Sequence, residues 1–405
     1  MKEHKKFKSR ICEMRYIVMK KILLANSFYF PTVIGGAEIF TQLLAEGLTE
    51  EYDVHVLTTA NHSETVVKER INNVTVHRLP LSNIYWPGND IKDRSSFSKM
   101  KWHVNNLYSR KQYTYIKEIL KDVSPDIIHS QNLMGIGTYL WSIANKLNIP
   151  VVHTTHDYQL MEPVNQRLLN VIFSLINKRR SKTVSIALGV SKFTINKHLQ
   201  QNYFKTAEVD AIPNIVNSES FDRRYRKSKQ PLIIGYIGQL EKIKGVNLLF
   251  DLLKEFDSTI IEKLIVCGAG SMEKEIIEQG KKDNRLVYKS HLASRAVQET
   301  MAQLDVVLVP SIWEEPFGRV LIESYNQGTP IIASRVGGIP DIVYSEEWLF
   351  KKNDLKELKF LVDKFYNLED GQIKQEINKS YEQSKLYEDN IPQHINIYDK
   401  LIEKV

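Results

Sequence analysis

Two α/β domains in series, each built on a doubly wound parallel sheet, are what this chain of 405 residues predicts. Three observations carry the prediction. From Lys20 onward, short continuous apolar runs alternate with amphipathic stretches, as do strands buried on both faces and joined by crossover helices. The alternation stops between Ala211 and Gln230 and then starts again. The chain is long enough for two cores, and 42% hydrophobic with 25% charged residues is an ordinary globular composition.

Met19 opens Met-Lys-Lys-Ile-Leu-Leu, which reads as a chain start, so residues 1–18 are assigned as a basic extension or a misassigned start. Ile22-Leu23-Leu24-Ala25 is the first strand, a helix follows from Ala37 to Leu48, and Val54-His55-Val56-Leu57 is the next strand. Further strands are predicted at Val74 to Leu79, Ile127 to His129, Val151 to His153 and Ser185 to Val190, completing one parallel sheet in a domain of residues 19–215. Trp86 to Tyr113, rich in Ser, Asn, Lys and aromatics, breaks the alternation and reads as an insertion. Ala211-Ile212-Pro213-Asn214 and the charged run to Gln230 read as the linker.

The second domain, residues 216–385, restarts with Leu232 to Gly238 and a helix from Asn247. Strand Lys263 to Cys267, a helix from Met272, strand Leu286 to Tyr288 and helix Arg295 to Leu304 follow. Asp305 to Pro310 is another buried strand, Val320 to Gly328 a helix stopped by Gly328-Thr329-Pro330, and Ile331-Ile332-Ala333 the next strand. In the last segment, residues 386–405, Ile395, Tyr398, Leu401 and Ile402 recur at helical spacing within Gln393 to Lys404, so this helix has an apolar stripe to dock.

Cys12 and Cys267 make no disulfide framework and no cysteine-histidine spacing fits zinc, which places the chain in a reducing, cytoplasmic setting. No apolar run approaches the roughly 20 residues of a membrane span, and Tyr16 to Met19 is too short for the core of a signal peptide. The net charge of +7 is carried by residues 1–18, by Lys178-Arg179-Arg180-Ser181-Lys182 and by Arg223 to Lys229. No nucleic-acid-binding motif accompanies it. The clusters fit an anionic membrane surface, a phosphate-bearing acceptor or plain solvation.

The chemistry is expected at Glu314-Glu315-Pro316-Phe317-Gly318-Arg319-Val320-Leu321-Ile322-Glu323, between a buried strand and a helix start. Ligands of such sheets bind beyond the carboxyl ends of the strands, where the first helical turn offers free N–H groups. Gly318, Arg319 and Val320 supply those groups, and the carboxylates of Glu315 and Glu323 accept from different hydroxyls of one polyol. The plainer reading is that the glutamates favour the helix dipole and are otherwise solvated.

Taken together, these segments resemble the retaining glycosyltransferases of family 4, whose GT-B architecture sets two Rossmann-like domains face to face. The resemblance covers most of residues 19–405 and is most specific at Glu315 and Glu323, separated by seven residues and followed by Gly328-Thr329-Pro330 and Gly337-Gly338. Gly35-Gly36-Ala37-Glu38 matches the N-terminal glycine loop, His153-Thr154-Thr155-His156-Asp157 the segment carrying a histidine beside the transferred sugar, and Gly238 to Gly245 the stretch that holds the donor diphosphate. Cys267-Gly268-Ala269-Gly270 and Val287-Tyr288-Lys289-Ser290-His291-Leu292 match the strand ends around the nucleotide base, with Ser290 where glycine is usual.

The resemblance implies a transferase moving a sugar from a nucleotide-diphosphate sugar to a glycan or lipid-linked glycan, with retention and without a metal or other cofactor. It places the acceptor on the first domain, around residues 86–113, the donor on the second, and the last helix back across the cleft. It assigns His156, Lys244 and Glu315 to catalysis, and Gly36, Gln239, Lys244, Glu315, Phe317, Gly318, Arg319, Val320 and Glu323 to the donor. Glu323 would take the ribose and Glu315 the sugar. Gln239 stands where the family commonly has arginine, which leaves an amide in place of a cation and makes Arg319 the candidate substitute. Bacterial surface polysaccharide synthesis at the inner face of the membrane is the role implied. A sugar-nucleotide epimerase or a non-catalytic sugar-nucleotide-binding protein are the competing readings.

Overall fold

In the computed structural model, which describes residues 19–61, 64–86, 88, 95–163, 167–216, 219–290 and 292–404, the strand Lys21–Ala25 (β1) feeds two cores. Ile22 and Leu24 pack on one side of the sheet and Leu23 and Ala25 on the other, as the two-residue period of a strand requires. Residues 1–18 and His291 lie outside the described residues.

The first domain continues with helix Gly36–Gly47 (α1) and strands Asp53–Thr59 (β2), Val67–Ile71 (β3) and Val74–Leu79 (β4). Helices Ser96–Leu107 (α2) and Arg110–Val123 (α3) precede strand Ile127–Ser130 (β5), helix Tyr139–Lys146 (α4) and strand Val151–Thr155 (β6). Helix Arg167–Ser181 (α5), strand Ile186–Gly189 (β7), helix Lys192–Gln200 (α6) and strand Glu208–Ala211 (β8) complete it. The sheet order is β3-β4-β2-β1-β5-β6-β7-β8.

Two expectations are corrected here. The sheet is not wholly parallel: β3 runs antiparallel to β4, joined through Asn72 and Asn73, both with positive φ, the geometry that suits a two-residue hairpin turn. Val-Lys-Glu-Arg-Ile hides this strand because its side chains are mostly exposed and charged, as an outer edge strand favours. Trp86 to Tyr113 is also more than an insertion: α2 lies inside it, and α3 begins within it and buries Ile116, Ile119, Leu120 and Val123 against the sheet.

The second domain holds strands Leu232–Ile237 (β9), Ile261–Cys267 (β10), Leu286–Lys289 (β11), Val306–Val309 (β12), Ile331–Ser334 (β13) and Leu349–Phe350 (β14). Their order, β11-β10-β9-β12-β13-β14, is parallel throughout. The helices are Val246–Glu255 (α7), Glu273–Lys282 (α8), Ser294–Ala302 (α9), Arg319–Asn326 (α10), Ile339–Ile342 (α11), Leu355–Tyr366 (α12) and Asp370–Lys385 (α13). One core serves both faces of this sheet.

The segment at Arg223 belongs to this domain rather than to a free linker. Arg223 bonds the Leu304 and Gln327 carbonyls and the Thr329 hydroxyl, Arg224 grips Asp305 with two 2.7 Å contacts, and Arg226 reaches the Phe365 and Tyr366 carbonyls. These three cations of the basic run are used inside the fold.

The last helix, Ile391–Glu403 (α14), packs on the first domain, where Tyr398 and Leu401 join Ile22, Leu24 and Phe40 in the core. Tyr52 donates to Asp399 at 2.6 Å, and Gly47 lets Ile391 approach so closely that a Cβ would sit 2.0 Å from its Cδ1.

One glycine fixes the loop after β9. Gly245 has φ +74, and a Cβ there would lie 1.8 Å from the Pro310 carbonyl oxygen, so the turn carrying Lys244 sits against the end of β12. Gly245→Ala is expected to cost about 2–4 kcal/mol, from left-handed strain plus overpacking. Urea unfolding checks it, and an unchanged midpoint would refute the constraint.

Candidate functional site

The carboxyl ends of both sheets meet in one cleft. From the first domain, β1 leads to the Gly36 loop, β5 to Gln131 and β6 to His156; from the second, β9 leads to Lys244 and β12 to Glu315. The domains touch beside this cleft. Tyr158 Oη donates to the Glu314 carbonyl at 2.9 Å, Ser191 and Thr194 donate to the Pro316 carbonyl at 2.5 and 2.8 Å, and Lys197 pairs with Glu314. Gly337 and Gly338 pack on the Glu314–Pro316 backbone, and the Gly338 N–H bonds the Glu315 carbonyl at 2.6 Å.

Lys244 and Glu315 are brought together. Nζ lies 2.6 Å from Glu315 Oε1 and 4.5 Å from the centroid of the Trp313 ring, and Ser311 donates to the same carboxylate at 3.0 Å. The side chains are only 16% and 14% exposed, so a ligand reaching either group meets an ion pair rather than a free charge. Glu323 is likewise held, 2.7 Å from Arg319 Nε.

Arg319 makes the contact across the cleft. A Cβ placed on Gly36 would lie 3.8 Å from Arg319 Cδ, so the first residue of α1 and the first residue of α10 face each other. No side chain caps α10 at Gly318, which has φ +82. Among the described residues, the buried Arg319 Nη1 finds no hydrogen-bond partner. A half-satisfied guanidinium between two helix N-termini is a strong place for an anion. At the α1 terminus Glu38 already takes the Gly35 N–H at 2.7 Å, and burial raises its pKa.

The remaining expected donor residues are spread around this point. Gln239 is exposed, with its carbonyl accepting from Tyr236 Oη at 2.7 Å. Val320 is half-buried on the first turn of α10. The Phe317 side chain is buried in the core, its ring 6.0 Å from that of Tyr387, so its backbone is the part that lies in the loop before α10.

His156 stays with its own domain. Its Nε2 is 2.6 Å from Gln131 Oε1, and Gln131 Nε2 is 3.0 Å from His129 Nε2; His129 in turn meets Thr154 Oγ1 at 2.8 Å and Tyr398 Oη at 2.6 Å. A row of side chains thus runs from α14 to His156. An amide oxygen only accepts, so His156 carries its proton on Nε2 and keeps Nδ1 as an acceptor. Burial, then the neighbouring His394, pushes its pKa down to about 3, so the ring is neutral at physiological pH. His153 is buried against Trp141, a core residue. Asp157, next in sequence, is pushed up to about 6 by burial.

Gln131, Ser311 and Trp313 escaped the sequence reading. Gln131 and Ser311 each had a signal, the place just past a predicted strand. Gln131→Leu removes the group that sets the His156 tautomer. The expected result is about a tenfold fall in kcat, with a lowered melting temperature because the buried bonds to both His156 and His129 are lost; wild-type kcat would refute it.

Two Rossmann-like domains facing across a cleft, with a terminal helix returning to the first, define the GT-B class. The family profile described as Glycosyltransferase Family 4 matches residues 34–220, and that described as Glycosyl transferases group 1 matches residues 217–383. An uncharacterized 42.6 kDa protein in the cps region of Klebsiella pneumoniae is 34% identical over 334 residues, covering 79% of this chain and 87% of the relative. The sucrose-phosphate synthase structure from Thermosynechococcus elongatus superposes with TM-score 0.72 at 17% identity, over 95% of this chain and 100% of that one. HepE of Anabaena, solved with UDP-glucose, superposes with TM-score 0.61 at 17% identity, over 95% and 98%. The chain belongs to the GT-B glycosyltransferases of the family 4 type and is a transferase.

Proposed function

We propose that this protein moves a sugar from a nucleotide-diphosphate sugar to a glycan or lipid-linked glycan acceptor, with retention, in bacterial surface polysaccharide synthesis. The observation that carries the donor assignment is Arg319, with its unpartnered Nη1 beside Gly36 and at the uncapped start of α10. It supplies a cation that Gln239 does not. The UDP-glucose complex of HepE and the cps-region relative support donor class and pathway.

Breaking the bond to the diphosphate puts negative charge on the leaving phosphate and positive charge on the sugar ring, so leaving-group stabilisation dominates. Arg319, Lys244, the Gln239 amide and the N–H groups of Gly318 and Val320 take that role. Glu323 holds the ribose hydroxyls and Glu315 those of the sugar, each exchanging its present cation partner for hydroxyl donors. Neutral His156 accepts from a sugar hydroxyl through Nδ1. The acceptor hydroxyl attacks on the leaving-group face and gives its proton to the departing phosphate. In this reading these groups stabilise the developing charge, and no metal or other cofactor is invoked. The proposed site of the reaction is the cytoplasm, at the inner face of the membrane.

A panel of nucleotide sugars, screened by thermal shift and then by acceptor-dependent nucleotide release, tests the reading. The right donor at about 100 times its dissociation constant adds about 2.7 kcal/mol to stability. Conversion to a new sugar nucleotide without acceptor would make the protein an epimerase instead. Stabilisation with no release to any glycan acceptor would make it a binding protein.

A further inference from the structure

α2 and α5 turn their inner faces to one cavity, lined by Trp102 and His103 of α2 and by Phe173 and Asn177 of α5. The rings of His103 and Phe173 are 6.2 Å apart, and Arg180 of α5 donates to the Leu107 carbonyl of α2 at 2.9 Å, so the helices are neighbours. Their other faces carry large apolar side chains into solvent. Phe97 is 69% exposed and Val104 52% on α2; Val171, Ile172 and Leu175 are 54%, 55% and 61% exposed on α5. Phe97 and Val104 lie two turns apart on one stripe, and Val171 and Leu175 are successive on another.

Neither helix contains an aspartate or glutamate. α2 carries Lys99 and Lys101; α5 carries Arg167, Lys178, Arg179 and Arg180. Arg180 is used internally, and Arg179 and the following Lys182 are exposed beside Leu175. An apolar stripe on helices whose charged side chains are all cationic is complementary to the headgroup boundary of an anionic bilayer, where apolar side chains enter the acyl region and ammonium and guanidinium groups meet lipid phosphate.

We propose that the outer faces of α2 and α5 dock this protein on an anionic lipid bilayer. The cavity beneath these helices extends to Gln131 and His156. On the transferase reading given above, an acceptor carried by a lipid therefore reaches the His156 side of the cleft directly from the surface on which the protein sits.

Sedimentation of the full chain with phosphatidylcholine vesicles, with and without phosphatidylglycerol, tests the surface. Binding is expected to the anionic vesicles in low salt and to fall steeply in high salt. The double variant Ile172→Asp/Leu175→Asp and, separately, Arg179→Glu/Lys182→Glu are expected to lower partitioning at least tenfold. Both should retain wild-type melting and wild-type transfer to a water-soluble acceptor. No vesicle binding by the wild type, or variants that bind as well as it does because residues 1–18 carry the attraction, would overturn the proposal. So would a wild-type dimer that Leu175→Asp converts to a monomer, since the face would then belong to a second copy. Vesicle binding as expected, with no transfer to any acceptor, would count against the transferase reading alone.

Discussion

Lys244→Met is expected to lower kcat/KM for sugar transfer by about 10²–10³-fold, the scale of removing one preorganised group from a developing anion. The fold should survive, because methionine fills a similar volume against Trp313 and Ser311 still donates to Glu315, although the ion pair is lost. In the structure the ammonium is held by Glu315, 2.6 Å away. On the proposed reading, a donor phosphate competes for the cation at the strand end and so frees the carboxylate for a sugar hydroxyl. Glu315→Gln should therefore also lose activity, since an amide accepts through one oxygen and no longer holds Lys244. If the pair served stability alone, the double variant would be as active as the wild type and each single variant less stable. Full transfer by Lys244→Met would sink the assignment.

Acidification from neutrality to about pH 5 is expected to destabilise the protein by several kcal/mol. Burial lowers the pKa of His77, His198 and His394 to about 4 and of His156 to about 3, and holds His129 and His153 well below 6.5. A histidine whose folded pKa lies below its unfolded value binds its proton first in the unfolded chain. Its stabilisation is complete above about 6.5 and is lost as pH falls toward the folded value, at about 1.4 kcal/mol per unit for each ring. Asp157 acts in the opposite sense: raised to about 6, it adds stability as pH falls through that value, one group against several. The first histidine to be protonated also repels its neighbours, since His129, His153, His156 and His394 form one cluster. Urea midpoints at neutral pH and near pH 5 provide the check, and equal midpoints would refute it.

The order of most strands was legible because parallel strands buried on both faces leave continuous apolar runs such as Val151-Val152 and Val306-Val307-Leu308-Val309. What escaped had its apolar residues diluted. β3 is exposed on an edge, and α3 displays Lys, Arg and Tyr around a narrow buried stripe. The basic run at Arg223 was legible as charge but not as structure, because carbonyl partners such as those of Leu304 and Phe365 are distant in sequence.

The candidate site divides the same way. Glu315 and Glu323 were marked by their spacing around a helix start, and Gly36 and Lys244 by the resemblance of their loops to those of the family, both of which a sequence records directly. Pairing was not: that Lys244 faces Glu315, that Arg319 spans the cleft toward Gly36, and that Tyr398 of α14 reaches His156 through His129 and Gln131 depend on strands brought together across the sheets and cleft. The sequence by itself determined two doubly wound domains, a glutamate pair at a helix start and a terminal helix with an apolar stripe. The tertiary structure decided which charges hold one another, which histidines are buried and that Arg319 stands across the cleft from Gly36. The physical reason is that hydrophobic period is a local property of a chain, whereas desolvation and the partner of a charge depend on residues far away in sequence.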